Sequence, residues 1–273
     1  MQTVFIRHNL DSKRETLEEL WSQRLIAIHY ESIPSVDPED YKSDGKAALK
    51  RLWNYCKSGA VVGATYRSIR PNKILVGEIE QGSKVEILRY SKHPDYNDYI
   101  YKVVRLKNAR EILYLDYPLL AAIQPRLGTI MGWPSAEKYL LAILKKQKIE
   151  RSVDSLDPSQ LEVLCYEFLR MNGSLTMLFL PIGRSLLDID ICGIDKYGNK
   201  VLAQVTHSKN IVKVNDKLNR LKQYKTKNAK LIFFGQDGCK IDDPKVHYIT
   251  IQQVFSTLNA KPMYRQLITT MLK

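Results

Sequence analysis

The sequence has few cysteines, and their spacing does not bring them together. The four, Cys56, Cys165, Cys192 and Cys239, are scattered along 273 residues, with no C-x-x-C pair and no histidine at zinc-ligand spacing. No zinc site is therefore predicted. Cys165 and Cys192 lie in apolar runs, which predicts buried, reduced thiols.

Long apolar runs, internal repeats and low-complexity segments are absent as well. No stretch reaches membrane-spanning length, and the sequence contains no signal peptide and no lipidation motif. We therefore expect a cytoplasmic protein without a membrane partner.

Acidic residues are too few to balance the basic ones. The chain has 29 Asp and Glu against 42 Lys and Arg, a net charge of +13. Such an excess favours an anionic partner, most often nucleic acid, because phosphate contacts provide affinity that does not depend on base sequence. The alternative is a basic surface that binds no partner. Hydrophobic residues make up 44%, which is ordinary for a folded protein of one large domain or two modest ones.

The clearest domain boundary is the polar, basic run over residues 145–152. An apolar helical pattern that begins at Ser135 precedes it, and residues 155–160 open a new helix after it. We therefore divide the chain into residues 1–150 and residues 151–273.

In the first part, short apolar strands alternate with helices. Helices are predicted over residues 16–21 and 46–57, and strands at residues 4–6, 24–30, 60–66, 73–79, 84–90 and 99–106. This order predicts a small mixed sheet, curled into a barrel, with one or two helices on it. The second part alternates helices and strands and predicts an α/β (α+β) fold, a mixed sheet flanked by helices.

Two short apolar runs in the second part, residues 182–193 and 201–206, flank a turn at residues 196–199 and predict a hairpin. Asp188 and Asp190 stand two positions apart, so both are expected on one face of the first strand. Two acids on an apolar strand are costly to bury unless they are paired or bind a metal ion. The alternative is an edge strand that faces solvent.

Polar residues also occur on the second strand and on the helix that precedes the hairpin. Gln204 and Thr206 share one strand face by the same period of two. The helix predicted over residues 158–171 has an apolar stripe, and Glu162 and Glu167 lie off it. A glutamate in such a position usually faces solvent; the alternative is that one of them leans toward the sheet and helps to hold a metal ion.

Residues 159–169, 183–185, 189–193 and 203–206 resemble the Mrr-type branch of the PD-(D/E)XK nuclease superfamily, in a stretch from about residue 155 to residue 235. In that family a helical Glu, a strand Asp and a Gln-x-Lys or Glu-x-Lys strand form the site. The resemblance implies a restriction-endonuclease-like fold, DNA as substrate, and Mg²⁺ or Mn²⁺ as cofactor.

Carried over residue by residue, the resemblance makes Glu162, Asp190 and Gln204 catalytic. The metal ligands it implies are Asp190 and Gln204, with the neighbouring Asp188. The sequence departs from the family at Thr206, which stands where the family has a lysine. That lysine stabilises charge on the scissile phosphate, and losing one such group costs ~10²–10³ in rate.

A lysine from elsewhere in the chain can take that place. Lys209 follows three residues after Thr206, although strand parity turns it to the opposite face. Lys213 and Lys217, on the next predicted helix, can reach in from the side. We take Lys209 and Lys213 as the further catalytic candidates.

The stretch after the hairpin is strongly basic. Residues 207–230 hold eight Lys or Arg and one acid, and the helix predicted over residues 211–224 carries a basic face beside its apolar stripe. Such a run is either a solvated helix face or a phosphate contact, and its position after the hairpin favours phosphate contact. The predicted nucleic-acid-binding residues are Lys213, Lys217, Arg220, Arg184, Arg67 and Arg70.

In strand order and aromatic placement, residues 21–30, the helix around Trp53, and residues 58–66 and 75–79 resemble EVE and related PUA-like domains. These domains are small curled barrels, and members hold a modified base in an aromatic-walled pocket. The resemblance implies such a pocket here; the alternative is that the aromatic residues form core. The candidate walls are Trp21, Trp53, Tyr30, Tyr66 and Trp133, with Trp21 and Trp133 favoured because polar or turn residues flank them.

These observations lead to two principal hypotheses. The first is a modification-dependent DNA endonuclease of the restriction or defence type, which hydrolyses phosphodiester bonds with Mg²⁺ and acts as a homodimer, because paired cuts need two sites. The second is a DNA-binding protein with a catalytically degenerate nuclease fold. A third is a basic scaffold for an acidic protein. Thr206 favours the second hypothesis, whereas the clustered acids and Gln204 favour the first.

Overall fold

The protein was analysed as a computed structural model, which describes residues 2–8, 14–90, 99–147, 152–183 and 186–272. The chain divides into an N-terminal unit, Met1–Ile149, and a C-terminal unit, Glu150–Lys273. Within the described ranges, no helix combines the length and the apolar character that crossing a membrane requires. Arg184, a predicted DNA-binding residue, lies outside the described residues.

Strands and helices alternate along the N-terminal unit. Its strands are β1 (Gln2–Arg7), β2 (Leu25–Ile28), β3 (Ala60–Thr65), β4 (Lys73–Ile79), β5 (Glu86–Tyr90), β6 (Tyr99–Arg105), β7 (Lys107–Leu113) and β8 (Ile130–Gly132). Its α-helices are α1 (Arg14–Ser22), α2 (Ser43–Ser58), α3 (Pro118–Ala122) and α4 (Glu137–Lys145). The predicted strands and helices of this part are confirmed, with ends that differ by a few residues. Elements β7, α3 and β8 are additional to them.

The strands of this unit form two sheets, of order β7-β4-β3-β1-β8 and β2-β6-β5. Strands β1 and β3 pair in parallel, and both faces of β1 are covered: Val4 and Ile6 lie in one apolar cluster and Phe5 in another. A strand that is apolar on both faces belongs to a sheet covered on both sides. The described residues form no closed barrel, and this corrects the curled-barrel prediction.

Three aromatic residues predicted to line a base pocket lie in the core instead. Trp21 and Tyr66 are at most 5% exposed and pack edge to face, with ring centroids 5.3 Å apart. Trp133 is 1% exposed and packs on Phe5, in the other apolar cluster. The pocket prediction is therefore wrong for these three, because burial of their large apolar surfaces stabilises the fold and leaves no open ring face.

A buried histidine joins three strands of the N-terminal unit. His8 follows β1 and stacks on Tyr66, with ring centroids 3.8 Å apart. Its Nδ1 lies 3.1 Å from the carbonyl oxygen of Thr65, the last residue of β3, and its Nε2 accepts a 2.9 Å hydrogen bond from the Ala27 N–H of β2. Burial lowers the pKa of His8 from 6.5 to about 3, against the opposing effect of the Thr65 carbonyl. The folded protein therefore holds His8 neutral.

The C-terminal unit is built around one mixed sheet. Its strands are β9 (Met177–Leu178), β10 (Ile191–Ile194), β11 (Lys200–Val205), β12 (Ala229–Gly235) and β13 (Val246–Thr250), in the order β13-β12-β11-β10-β9. Its α-helices are α5 (Pro158–Met171), α6 (Ile211–Lys222), α7 (Ile251–Asn259) and α8 (Pro262–Met271). Strands β11, β12 and β13 are parallel, whereas β9, β10 and β11 are antiparallel neighbours.

Helices cover both faces of this sheet. Residues of α5, α7 and α8 share an apolar cluster with Ile191 and Ala203, and residues of α6 share another with Cys192 and Leu202. Adjacent strand residues thus enter opposite clusters, as the period of two requires. The predicted mixed sheet flanked by helices is confirmed, as are the hairpin of β10 and β11 and the helix over residues 158–171.

The first strand of the hairpin is shorter than predicted. Strand β10 begins at Ile191, so Asp190 directly precedes it, and Asp188 lies in the turn closed by the bridge between Leu186 and Ile189. The prediction that both acids lie on one strand face is therefore wrong. The period of two fails here because a turn separates the two positions.

The buried His8 makes a prediction for stability against pH. Unfolding restores the ordinary pKa of 6.5 to His8, so His8 of the unfolded chain binds a proton as pH falls below 6.5. In the folded chain His8 stays neutral until the pH approaches 3. Stability is therefore lost as pH falls below 6.5, by about 2 kcal/mol at pH 5. Urea unfolding of the parent and of His8→Gln at pH 7.5 and pH 5 measures this loss. The loss is expected to shrink in His8→Gln and to persist in the control His247→Gln, and equal losses in all three would contradict the assignment.

Candidate active site

The candidate site is centred on the Asp190 carboxylate. Its Oδ2 accepts two short hydrogen bonds, 2.6 Å from Gln204 Nε2 and 2.7 Å from the Val205 N–H. Gln204 is 4% exposed, and its amide nitrogen also lies 3.2 Å from the Val205 carbonyl oxygen. The predicted pair of Asp190 and Gln204 is thus brought together, with the amide fixing the carboxylate.

Backbone pairing puts Asp190 in this position. Its N–H donates to the Ala203 carbonyl of β11 at 2.8 Å, and its carbonyl accepts from the Gly183 N–H at 2.7 Å. The carboxylate therefore sits between two extended segments and opposite the last residue of β11. Since two main-chain bonds and two side-chain bonds restrain one residue, Asp190 has a defined orientation.

Helix α5 positions Glu162 against Gly183, the residue whose N–H binds the Asp190 carbonyl. The helix begins with a capping box, in which the Asp157 side chain accepts from the Ser159 N–H and Gln160 Oε1 accepts from the Asp157 N–H. Glu162 lies in the second turn, and a Cβ added at Gly183 would come within 2.4 Å of its Oε2. Gly183, which binds Asp190, is thus packed against Glu162.

The fully buried thiol of Cys165 is next to both acids. Burial raises the pKa of Cys165 well above its usual range, and the charges of Asp190 and Glu162 raise it further. The thiol is therefore protonated and unreactive. The Cys165 thiol is informative because the charges of both carboxylates, Asp190 and Glu162, act on this one buried group. Neither Cys165 nor Gly183 is among the predicted catalytic residues.

A positive charge from α6 also acts on the site. Burial raises the pKa of Asp190, the Val205 N–H and the charge of Lys217 oppose the rise, and the Asp188 carboxylate adds to it. Lys217 is half-buried in the middle of α6. The sequence predicts Lys217 to bind DNA and offers it only as one alternative cation, so the effect of its charge on Asp190 is a finding of the tertiary structure.

The residue at the family's lysine position is enclosed. Thr206 is 5% exposed, its N–H donates to the Phe234 carbonyl at 2.9 Å, and its Oγ1 accepts from the Ser208 N–H at 3.2 Å. Lys209, a predicted catalytic residue, is not directed to Asp190: its Nζ lies 3.9 Å from Asp154, and both side chains are largely exposed. Because β11 ends at Val205, the course of the following loop and not strand parity decides where Lys209 lies.

Ion pairs engage several of the predicted ligands and DNA-binding residues. Asp188, a predicted metal ligand, lies 3.6 Å from Arg220, which also pairs with Asp216. Arg70 makes two hydrogen bonds to Glu18, 2.9 and 2.7 Å long. Arg70 and Arg220 therefore have acidic partners within the protein. Their predicted contacts with DNA remain predictions, as does the metal role of Asp188.

Two exposed basic residues that pair with no carboxylate of the described residues remain for the predicted nucleic-acid contacts. Lys213 is exposed in the first turn of α6, where the Asn210 side chain caps the helix. Arg67 is exposed after β3, close enough to Arg7 that its charge lowers the pKa of Arg7, an effect second to burial. Both remain candidates for phosphate contact.

Two of the predicted pocket aromatics are not fully buried. Trp53 is 48% exposed, and its indole N–H donates to the Val36 carbonyl at 3.0 Å. It lines a cavity of about 430 Å³ together with Val36, Cys56, Lys57, Ser83, Lys84 and Val85. Tyr30 is half-buried and packs against the same core cluster as Trp21. Trp53 is therefore the predicted residue with an open ring.

The donors at Asp190 can be compared with what a metal ion needs. Over the described part of the chain, no group of three or more His, Cys, Asp or Glu side chains is placed to hold a metal ion. A zinc-type site, which needs three or four such side chains, does not fit. Magnesium is held by one or two carboxylates, with water and substrate phosphate as the other ligands. Asp190 and Glu162 fit that requirement.

Comparisons with known proteins establish no family. No protein-family model matches the sequence, and no curated protein matches it. A repair endonuclease from Pyrococcus abyssi is 13% identical with a TM-score of 0.26, over 83% of this chain and 98% of that one. A complex of EndoMS with double-stranded DNA is 9% identical with a TM-score of 0.25, over 83% and 96%. At these TM-scores neither similarity supports a conclusion about fold or function, so the interpretation of the site depends on its geometry alone.

The contact between Gly183 and Glu162 can be tested by adding one methyl group. Gly183 and Gly198 both have a left-handed backbone, with φ of +68° and +79°, but a Cβ at Gly198 would meet nothing within 4 Å. Gly198→Ala is expected to lose about 1 kcal/mol of unfolding free energy through backbone strain alone. Gly183→Ala is expected to lose clearly more, because Glu162 must also move. Urea unfolding measures both, and equal losses would contradict the contact.

Proposed function

We propose that the C-terminal unit is a metal-dependent DNA endonuclease whose site is built from Asp190, Glu162 and Lys217. The carrying observation is the Asp190 carboxylate, which is half-buried and held by Gln204 and the Val205 N–H, with Glu162 packed against Gly183 and the charge of Lys217 acting on the carboxylate. A half-buried acid with a second acid and a cation in the same region is the arrangement that phosphodiester hydrolysis needs.

Asp190 and Glu162 would hold Mg²⁺ or Mn²⁺. Two donors occupy Oδ2 of Asp190, and none of the described residues donates a hydrogen bond to its Oδ1. The two donors to Oδ2 orient the carboxylate, and Oδ1 is the oxygen that we propose for the cation. When bound, the ion lowers the pKa of a water molecule and neutralises the phosphate. Gln204 serves in this geometry as the residue that positions Asp190.

Lys217 takes the role that Thr206 cannot fill. Thr206 has no positive charge and is enclosed at the end of β11, and Lys209 is directed to Asp154. Lys217 lies on α6, and its charge acts on Asp190 and opposes the rise in the pKa of that carboxyl. There it would stabilise the charge that develops on the scissile phosphate. Lys213, one turn earlier and exposed, would contact the DNA backbone.

We further propose that the N-terminal unit reads a modified base at Trp53. Its ring is half-exposed and fixed by the bond to Val36, beside a cavity flanked by Lys57 and Lys84. A flipped base gains stacking on such a ring, and the lysines suit the adjacent phosphates. The protein would then be a modification-dependent endonuclease, acting as a homodimer because cutting both strands needs two sites.

A DNA-binding protein without hydrolytic activity is the second candidate function. The observation that favours it is Thr206, which has no positive charge, is 5% exposed and accepts a hydrogen bond from the Ser208 N–H with its hydroxyl. The basic face of α6 serves both functions equally. Cleavage alone distinguishes them.

The proposed function predicts the result of one cleavage assay. With Mg²⁺ or Mn²⁺, the parent is expected to cleave base-modified duplex DNA in preference to unmodified DNA, and chelation is expected to stop it. Asp190→Asn keeps the size of the side chain but removes its charge, so it should bind DNA and not cleave it. Trp53→Ala should cleave both substrates at the same low rate, because the reader has lost its stacking ring. DNA binding without cleavage by the parent would establish the second candidate.

The role of Lys217 makes a separate prediction. Lys217→Ala is expected to lower the cleavage rate by ~10²–10³ at saturating DNA, since it removes one transition-state cation. Lys213→Ala is the matched control on the same helix and should weaken DNA binding while leaving the saturated rate nearly unchanged. Single-turnover kinetics separates the two effects. If both variants change only the affinity, Lys217 is a phosphate contact and not a catalytic residue.

A further inference from the structure

The segment that carries Asp190 forms a hairpin arm at the edge of the sheet. The hairpin arm comprises residues 177–183 and 186–194, which run antiparallel from β9 and β10 outward. The Phe179 N–H donates to the Cys192 carbonyl at 3.1 Å, and the Gly183 N–H donates to the Asp190 carbonyl at 2.7 Å. A bridge between Leu186 and Ile189 closes its tip. Asp190 therefore lies on the returning side of the hairpin arm, directly before β10 and next to the tip.

The hairpin arm exposes large apolar side chains. Leu187, at the tip, is 87% exposed, more than any other large hydrophobic residue described. Met177 and Phe179 are 58% and 50% exposed on the outgoing strand, and Leu186 is 37% exposed beside the tip. Single exposed leucines are common on protein surfaces, but several along one arm mark an interaction surface.

The tip is fixed in place on the basic side of the unit. Asp188 follows Leu187, and its side chain, 15% exposed, lies 3.6 Å from Arg220 of α6. Arg220 thereby neutralises the charge of Asp188, which would otherwise repel the phosphates of a DNA backbone. The same helix carries Lys213 and Lys217, and Lys217 acts on Asp190. An apolar tip, a basic helix and the reactive carboxylate thus belong to one side of the C-terminal unit.

We propose that Leu187 inserts between base pairs of the bound duplex and sets where the scissile phosphate meets Asp190. This inference rests on the proposed function and adds the way in which the duplex is held. The partner is a nucleic acid rather than an apolar protein surface, because Asp188 ties the tip to α6, and that helix carries four basic residues and one acid. Apolar wedges such as leucine partly unstack a base step, and the contacts that follow offset the cost of a few kcal/mol. The wedge explains why an exposed leucine is held in a fixed turn.

The test uses the full chain and duplexes in which 2-aminopurine replaces adenine at successive positions, in EDTA so that no cleavage occurs. The parent is expected to raise the fluorescence of one position by unstacking it. Leu187→Ala should abolish that signal and weaken binding about tenfold to a hundredfold, which is the worth of one buried leucine. The dependence of affinity on salt should not change, because no phosphate contact is lost.

Matched variants guard against a general effect of losing an exposed leucine. Leu127 is 81% exposed in the N-terminal unit, so Leu127→Ala should keep the parent's signal and affinity. Leu187→Met keeps an apolar side chain of similar size and should also keep the signal. Because Leu187 is almost fully exposed, Leu187→Ala should fold like the parent, and thermal unfolding checks this.

Three outcomes would overturn the wedge. The first is a parent that brightens no 2-aminopurine position, and the second is a Leu187→Ala variant that binds like Leu127→Ala. The third is sedimentation showing that Leu187→Ala dissociates a dimer, which would make a second copy the occupant of the tip. The binding experiment contains no metal, so its failure is distinct from failure of the nuclease proposal, which the Asp190→Asn cleavage assay decides.

Discussion

The two hydrogen bonds on Oδ2 of Asp190 are the constraint on which the candidate site depends. They join the residue before β10 to the last two residues of β11, so the ends of both strands are fixed at once. Burial makes a charged carboxylate costly there, and the two donors reduce that cost. Gly183, and through it Glu162, is packed against the same residue. The geometry of the site is therefore a consequence of how the hairpin closes.

Much of this architecture is encoded locally and could be predicted. Helix α5 was expected from its Asp-Pro start and apolar stripe, and it covers the predicted residues 158–171. The β10–β11 hairpin followed from two apolar runs around a turn, in which Asp195 accepts from the Tyr197 and Asn199 N–H groups. The pairing of Asp190 with Gln204 also agrees with the sequence pattern. In each case the signal lies within a few residues of its effect.

The parts that the sequence did not predict depend on contacts between distant residues. Trp133 was expected to be open because turn residues flank it, yet a sheet face with Gly63 receives its ring: a Cβ at Gly63 would lie 2.6 Å from it. The apolar runs of β1 and β3 carried a signal against a barrel, since strands covered on both faces have no polar alternation. The place of Lys217 beside Asp190 depends on how α6 packs on the sheet, and no local pattern records that.

The ion pair between Arg220 and Asp188 makes this part of the protein sensitive to ionic strength. The Arg220 side chain is 46% exposed, so dissolved ions screen its attraction for Asp188. The restraint on the turn at residues 186–189 is therefore electrostatic and adjustable, unlike the main-chain bonds nearer Asp190. Rising ionic strength weakens this ion pair and the attraction of phosphate to α6 together, while the bridge between Leu186 and Ile189 still closes the turn. Salt concentration therefore acts on this ion pair inside the protein as well as on the attraction between α6 and phosphate.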